Sequence, residues 1–266
     1  MFINKNKEAE TIKYKLNDNL EKNIPVSGIF KLNTKTISFD MLVINSDDTS
    51  ISRRFWDDNY EDYSLDTWCE WSKEEGIYVD VGAHTGLNTV AALVSNNKNY
   101  LISLEPFSLN YFRIITNMRL NNFSNKNATL FNVAASDNNK SVNFDVKTNW
   151  SYLSKGGKIN NEGISMRAIK LDSLTFSNND RHIKAIKIDT EGEDLRVVYG
   201  AEKIIKKYMP KIIIECRKDN IIEIINFLSG IGYKNIYDKK NNTLENKKLI
   251  KFQNDERVKD LFFEKS

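Results

Sequence analysis

Several things are scarce in this chain. It carries 2 cysteines in 266 residues, Cys69 and Cys216, far apart and in no metal-ligand spacing. That excludes a disulfide-stapled secreted scaffold and a thiolate zinc site, and makes a reducing, cytoplasmic setting the expectation. With only 3 prolines and 11 glycines, collagen-like and low-complexity classes are excluded as well. No apolar run approaches the roughly 18 residues that span a bilayer. The opening Met1-Phe2-Ile3-Asn4-Lys5 lacks the apolar core of a secretion signal. An excess of one charge is also missing. The net charge of +3 is too small to suggest a nucleic-acid groove. Lysines gather late (Lys239, Lys240, Lys247, Lys248, Lys251), but Glu245, Asp255 and Glu256 sit among them, which reads as solvated surface.

What remains is an ordinary globular composition, 40% hydrophobic and 28% charged, long enough to bury one large core or two small ones. Its most informative stretch is Tyr78-Val79-Asp80-Val81-Gly82-Ala83-His84-Thr85-Gly86, an apolar strand running into a glycine-punctuated turn. A second apolar strand, Leu101 to Leu104, ends on Glu105. This is the spacing at which nucleotide-binding α/β folds place an acid on a ribose. The glycines are spaced G-x-x-x-G. A dinucleotide fold usually puts a glycine where His84 stands, and the imidazole would crowd a diphosphate. S-adenosylmethionine, which has no phosphate, fits better. Gly82 would then let the backbone approach the cofactor, Gly86 would sit where the helix packs on the sheet, and Glu105 would accept from both ribose hydroxyls.

Around this motif the pattern is regular. Residues 1–75 form an extension: a hairpin (Ile29 to Leu32, Ile37 to Val43), then Phe55, Trp56, Tyr60, Tyr63, Trp68 and Trp71, read mainly as packing over the main domain. Residues 76–266 form that domain. The helix after Gly86 carries Leu87, Val90, Ala91 and Val94 on one face, and the one after Pro106 carries Phe107, Tyr111, Ile114, Ile115 and Met118. A strand from Thr129 to Ala134 follows. An insertion at about 141–171 pairs Val142 to Val146 with Ile164 to Ile169 around a Gly156-Gly157 loop, where Trp150 and Tyr152 could stack on a sugar or simply pack. Ile183 to Ile188 leads into a helix through Leu195, Val198 and Ile204, with Gly200 as a weak point. Lys211 to Glu215, the helix from Asn220 to Leu228, Lys234 to Tyr237 and a final strand at Leu249 to Phe252 complete it. Strands alternating with amphipathic helices imply an α/β fold, a parallel sheet with helices on both faces.

The succession Asp80-Val-Gly-Ala-His-Thr-Gly86, Leu104-Glu105-Pro106, Asn117 with Asn121, Val133 to Asp137, Leu171-Asp-Ser-Leu174, Ile186-Lys-Ile-Asp-Thr-Glu-Gly192, Pro210 to Glu215 and Gly232-Tyr233 resembles the FkbM family of S-adenosylmethionine-dependent methyltransferases over about 77–238. One departure is His84, where the family generally has Asn. The resemblance implies a class I methyltransferase fold, with a seven-stranded, mostly parallel sheet and one antiparallel strand near an edge. It also implies O-methylation of a hydroxyl, often on a sugar or natural-product scaffold. It places Asp80, Gly82, His84 and Gly86 at the cofactor's amino-acid end, Glu105 at the ribose, and Ala134, Ala135 and Asp137 near adenine.

Asp189 and Glu191 follow the carboxyl end of a central strand, where open α/β sheets bind ligands, and are candidates to position or deprotonate the acceptor. Glu191 could instead cap the next helix. Lys187, on the same side of its strand as Asp189, joins them as a catalytic candidate and could pair with Glu215. His84 could act as a base or as a hydrogen-bonding group, whereas His182 reads as a surface residue. No metal is assigned, although Asp189, Glu191 and Glu215 could supply some ligands. Two other readings share these features: an NAD-dependent oxidoreductase acting on a sugar nucleotide, disfavoured by His84, and a non-catalytic cofactor-binding partner subunit. The expected partner is a sugar-containing or other hydroxyl-bearing acceptor; neither a nucleic acid nor a membrane span is expected. Oligomeric state is left open.

Overall fold

The structure is a computed structural model that describes residues 26–56, 62–145, 158–160, 163–174, 182–238 and 259–265. In chain order the strands are β1 (Gly28–Asn33), β2 (Ser38–Val43), β3 (Ile77–Val81), β4 (Tyr100–Leu104), β5 (Ala128–Phe131), β6 (Ala134–Ala135), β7 (Ser141–Asp145), β8 (Lys158–Asn160), β9 (Ile164–Ile169), β10 (Ile183–Ile188), β11 (Lys211–Cys216), β12 (Tyr233–Asp238) and β13 (Lys259–Lys265). The helices are α1 (Thr49–Trp56), α2 (Tyr63–Trp71), α3 (Leu87–Ser95), α4 (Ser108–Leu120), α5 (Asp194–Gly200), α6 (Glu202–Tyr208) and α7 (Ile221–Ile231).

Seven strands form the central sheet in the order β12-β13-β11-β10-β3-β4-β5. Neighbours from β11 to β5 are parallel, and β13 enters antiparallel between β11 and β12. This is the class I methyltransferase arrangement. The chain moves outward from β3 to β5, then returns to lay β10 on the other side of β3. That reversal opens a crevice beyond the carboxyl ends of β3 and β10, the place where open α/β sheets take ligands.

Parallel strands covered on both faces are apolar along their whole length. Ile77, Val79 and Val81 of β3 and Ile186 and Ile188 of β10 face one layer, built on α5, α6 and α7. Tyr78, Leu101, Ala185, Ile213 and Phe262 face the other, where α3, α4 and the N-terminal segment lie. Side chains alternate across a strand, so Asp80, Ser103, Lys187, Glu215 and Asp260 point to this second face. The N-terminal segment therefore covers the only charged rows of the sheet interior among the described residues.

That segment is held by specific bonds. β1 and β2 form the expected antiparallel hairpin. Asn117 Oδ1 on α4 accepts from the Leu42 N–H at 2.8 Å, and its Nδ2 donates to the Thr85 carbonyl at 2.8 Å. One turn on, Asn121 accepts from the Asp40 N–H at 2.9 Å and donates to the Asp40 carbonyl at 2.7 Å. Arg113 pairs with Asp47 at 2.7 Å. Asp62 caps α2 by accepting from the Leu65 N–H. Trp68 meets the Tyr78 ring edge-to-face, and Tyr63 and Trp71 meet Phe262 in the same way. These aromatics pack, whereas Tyr60 and the side chains of Phe55 and Trp56 lie outside the described residues.

Two elements differ from expectation. The strand from Thr129 stops at Phe131, because Asn132 turns the chain by donating to the Glu105 and Pro106 carbonyls. Ala134 and Ala135 then leave for a second sheet, ordered β6-β9-β7-β8, in which the expected antiparallel pairing of β7 with β9 is present. The helix through Gly200 is two helices, since a Cβ at Gly200 would come 2.1 Å from the Ser136 carbonyl oxygen that crosses there. The strand expected at Leu249 to Phe252 lies outside the described residues, and the last sheet strand is β13. Trp150, Tyr152 and the Gly156-Gly157 loop also lie outside them. Among the described residues no helix is long and apolar enough to cross a membrane.

Asn117 is fully buried. Its truncation in Asn117→Ala would strand the Leu42 N–H and the Thr85 carbonyl, each costing about 1–3 kcal/mol. A loss of about 2–4 kcal/mol is expected in a urea titration, and a change under about 0.5 kcal/mol would show that the hairpin is held by other means.

Candidate functional site

The crevice is built from two loops that touch. After β3 the chain runs through Gly82 to Gly86, with the Gly82 and Ala83 N–H groups donating to the Leu104 carbonyl at 2.9 and 3.0 Å. After β10, the Asp189 N–H donates to the Val81 carbonyl at 3.0 Å. Gly82 has φ +77°, and a Cβ there would lie 1.8 Å from the Asp189 carbonyl oxygen. Glycine is thus demanded by the approach of the two loops. Gly86 likewise needs its φ of +91°, and a Cβ would press on Ile114 at 3.1 Å. Its close contact is with α4 rather than with the sheet.

Glu105 ends β4 and is 5% exposed. Its Oε2 accepts the His84 N–H at 2.8 Å and its Oε1 the Phe107 N–H at 2.9 Å, with Asn110 Nδ2 at 3.5 Å. Burial pushes the carboxyl up to about 7, against the lowering pull of the His84 charge and the two N–H bonds. A carboxylate has about four acceptor sites; with two donors on Oε1 and one on Oε2, Oε2 keeps room for one more. Asp80 is 1% exposed. It accepts from Thr89 Oγ1 at 2.7 Å, and Thr89 also meets Ser103 Oγ at 2.8 Å. Burial raises its carboxyl to about 6. This acid holds α3 against the sheet beneath the loop and does not line the crevice.

Lys187 is the buried cation of this region, its side chain 8% exposed and Nζ 2.9 Å from Asp189 Oδ2. Its register partner on β3 is Asp80. Burial would lower the ammonium, but the charges of Asp189, Asp260 and Asp80 together hold it above its ordinary value. Asp260 on β13 is engaged in turn by Ser64 Oγ of α2. The expected Lys187–Glu215 pair is replaced by Lys187–Asp189, because Lys187 lies opposite Ile213 on β11 and Asp189 lies nearer the same edge. Lys187 sits under the crevice, whereas Asp189 reaches it, its side chain 39% exposed.

The carboxylates of Asp189, Glu191 and Glu215 come within 4.8 Å of one another. Burial opposes ionisation of Asp189, but Lys187 beside it and a hydrogen bond from Glu215 keep the carboxyl below the usual range. Glu215 moves the other way, first through burial and then through the Asp189 charge. Of the two carboxyls, Glu215 is therefore the one that keeps its proton, and its Oε2 is buried without a hydrogen-bond partner. Glu191, at φ +56°, caps no helix. Arg217 Nη2 holds it at 2.8 Å, while Asp194 takes the Thr190 and Gly192 N–H groups. Lys187 and Arg217 thus already bring two cations to the three acids.

Two contributors were not legible in the sequence. Arg217 lies one residue beyond β11, where basic side chains are commonplace. Asp48 is the other: its Oδ1 accepts the Ile51 N–H at 3.0 Å at the start of α1, and its Oδ2 takes Thr85 Oγ1 and lies 3.3 Å from His84 Nδ1. The capping role has a local signal, an Asp just before a helix; the contact with His84 has none. Of the residues expected near adenine, Ala134 and Ala135 are buried and pair with β9, while the Asp137 carboxylate accepts from Ser136 and Asn138.

Residues 80–234 match the model of the methyltransferase FkbM domain. No curated protein matches the chain. Among solved structures it is similar to methyltransferase FkbM from Methylobacillus flagellatus KT, with 19% identity and a TM-score of 0.49 over 71% of this chain and 43% of that one. It is also similar to precorrin-6y C5,15-methyltransferase from Geobacter metallireducens GS-15, with 14% identity and a TM-score of 0.42 over 76% and 87%. Ribosomal protein L11 methylase from Lactobacillus delbrueckii subsp. bulgaricus gives 9% and 0.43 over 78% and 81%. The chain spans less than half of the Methylobacillus protein's length. The family match covers more than half of this chain and takes in both lips of the crevice, from Asp80 to the loop after β10, so the chain belongs to the FkbM methyltransferase family.

Proposed function

We propose that the chain is an S-adenosylmethionine-dependent O-methyltransferase acting on a hydroxyl of a sugar-containing acceptor. The observation that carries this reading is the contact of Gly82 with the Asp189 backbone, which sets an ionised, crevice-facing acid directly against the loop that would hold the cofactor. The donor and acceptor set fits that group. Glu105 keeps an acceptor site on Oε2 for a ribose hydroxyl, the loop from Gly82 to Gly86 would meet the methionine part, and the segment from Ala134 to Asp137 would flank the adenine. When bound, the sulfonium supplies an electrophilic methyl whose leaving thioether needs no proton.

The chain's own residues then have three tasks. Glu105 and the loop orient. Orientation alone contributes roughly 7–11 kcal/mol when the geometry is right. Asp189 accepts the hydroxyl proton; a positioned base adds about 10²–10⁴-fold. Lys187, from beneath, keeps that acid ionised, and protonated Glu215 holds it in place. The grouping of three acids favours a hydroxyl over an amine acceptor. Acids stabilise an ammonium and so remove its lone pair from the reaction, whereas a hydroxyl arrives neutral and needs only an acceptor for its proton.

Two substitutions separate these tasks. Glu105→Gln removes charge-assisted bonds worth about 1.5–3 kcal/mol, so S-adenosylhomocysteine should bind about 10–100-fold more weakly by calorimetry. Asp189→Asn should leave that affinity within about threefold and lower methyl transfer to an acceptor sugar by about 10²–10⁴-fold. Unchanged transfer in Asp189→Asn would rule out Asp189 as the base.

A further inference from the structure

Asp48 and His84 form a pair that straddles the edge of the family domain, since the matched stretch begins at Asp80. Asp48 is 2% exposed, and its Oδ2 lies 3.3 Å from His84 Nδ1. The other ring nitrogen, Nε2, is buried and has no hydrogen-bond partner. A buried ring N–H without an acceptor is costly. His84 has φ +50°, its own N–H is held by Glu105, and its side chain is 30% exposed. The same loop opens α3, whose first turn receives no side-chain cap at Gly86, so the local field favours a negative group.

We propose that Asp48 holds His84 as an imidazolium whose Nε2–H is the donor for the carboxylate of the cofactor's methionine part, so that the segment before the family domain completes the cofactor site. The inference rests on the S-adenosylmethionine reading and names the residue pair that would recognise its anionic end. Asp48 is the positioning residue; His84 touches the ligand.

Three acids face His84 from three elements: Asp48 ahead of α1, Glu105 after β4 and Asp189 after β10. Burial lowers the imidazole, but the hydrogen bond and charge of Asp48, joined by Glu105 and Asp189, outweigh it and raise it to about 9. Burial would raise Asp48, yet His84, Thr85 and the Ile51 N–H bring it down to about 2. A histidine raised in the fold stabilises fully below its ordinary 6.5 and loses that contribution as pH climbs through 9. A lowered acid stabilises above its ordinary 3.8 and loses it as pH falls through 2. The pair is therefore strongest between these ordinary values, and a carboxylate ligand should be released at alkaline pH.

The chain has 2 histidines, so a proton NMR titration of the imidazole C2–H signals resolves both, and His84→Asn assigns them. Asn suits the left-handed backbone at this position. Asp48→Asn keeps an acceptor for the Ile51 N–H while removing the charge. Wild-type His84 should titrate near 9, and in Asp48→Asn its midpoint should fall towards 6.5. Calorimetry with S-adenosylhomocysteine and with 5′-methylthioadenosine, which lacks the amino-acid part, supplies the second readout. The first ligand should bind about tenfold more weakly at pH 10 than at pH 8 and about 10–100-fold more weakly in His84→Asn; the second should be unaffected in both comparisons. A wild-type midpoint near 6.5, or equal losses for the two ligands, would overturn the proposal while leaving the cofactor reading standing. Wild-type protein that binds neither ligand would overturn both.

Discussion

Everything at the carboxyl edge of this sheet depends on one buried cation. Lys187 stands on the central strand β10, with Asp80 opposite it on β3, Asp189 two residues further along and Asp260 within its field from β13. A lone ammonium in such a place would cost several kcal/mol and would shed its proton; three lone carboxylates would shed their charges instead. Lys187 and Asp189 hold each other in the charged form, while burial leaves the Asp80 and Asp260 carboxyls raised in spite of the lysine's pull. The arrangement works only when β3, β10 and β13 are in register, so the charge pattern specifies the pairing of strands that apolar residues alone would leave tolerant of slippage.

From that cation the organisation spreads outward in two directions. Towards the crevice, Lys187 keeps Asp189 ionised, Asp189 drives the proton onto Glu215, and Arg217 takes up the remaining acid at Glu191. Towards the second face, Asp80 passes its remaining capacity to Thr89 and so sets the first turns of α3. The loop between β3 and α3 is therefore anchored at both ends before any ligand arrives. Its middle is fixed by Glu105 through the His84 N–H and by Asn117 through the Thr85 carbonyl. A loop held this way is preorganised, which spares the ordering cost that binding would otherwise meet.

The parts of this fold legible in the sequence are those whose signal is local. Ile183 to Ile188 and Lys211 to Glu215 declare strands by their recurring isoleucines, and Gly82 and Gly86 declare a turn because only glycine relaxes at such φ values. Both glycines were found, but the atoms that exclude a Cβ belong to Asp189 and Ile114, distant in sequence. The same limit explains Gly200, which reads as a weak helix position until the Ser136 carbonyl is seen against it. Lys187 invited a partner on the neighbouring strand; the register gave it Asp189 instead. Asp260 and the contact of Asp48 with His84 left no trace, because an acid in a polar stretch looks like solvated surface until the fold brings it to a buried partner. For Asn117 and Asn121, family resemblance marked the positions without their task, which is to bond the backbone of β2.

The N-terminal segment is the least expected participant, and its importance follows from which face it covers. The face built on α5, α6 and α7 is apolar, and exposing it would cost only hydrophobic burial. The other face carries Asp80, Ser103, Lys187, Glu215 and Asp260, and the attraction of Lys187 for these acids is strong only while water is kept away. Trp68 on Tyr78, Tyr63 and Trp71 on Phe262, and the hairpin on α4 supply that exclusion. A layer that looks like a preface in the sequence thus sets the dielectric in which the crevice acids acquire their protonation states. Asp47 and Asp48, at the end of that layer, reach the α4 guanidinium and the loop imidazole. The electrostatics of the family domain are consequently completed from outside it.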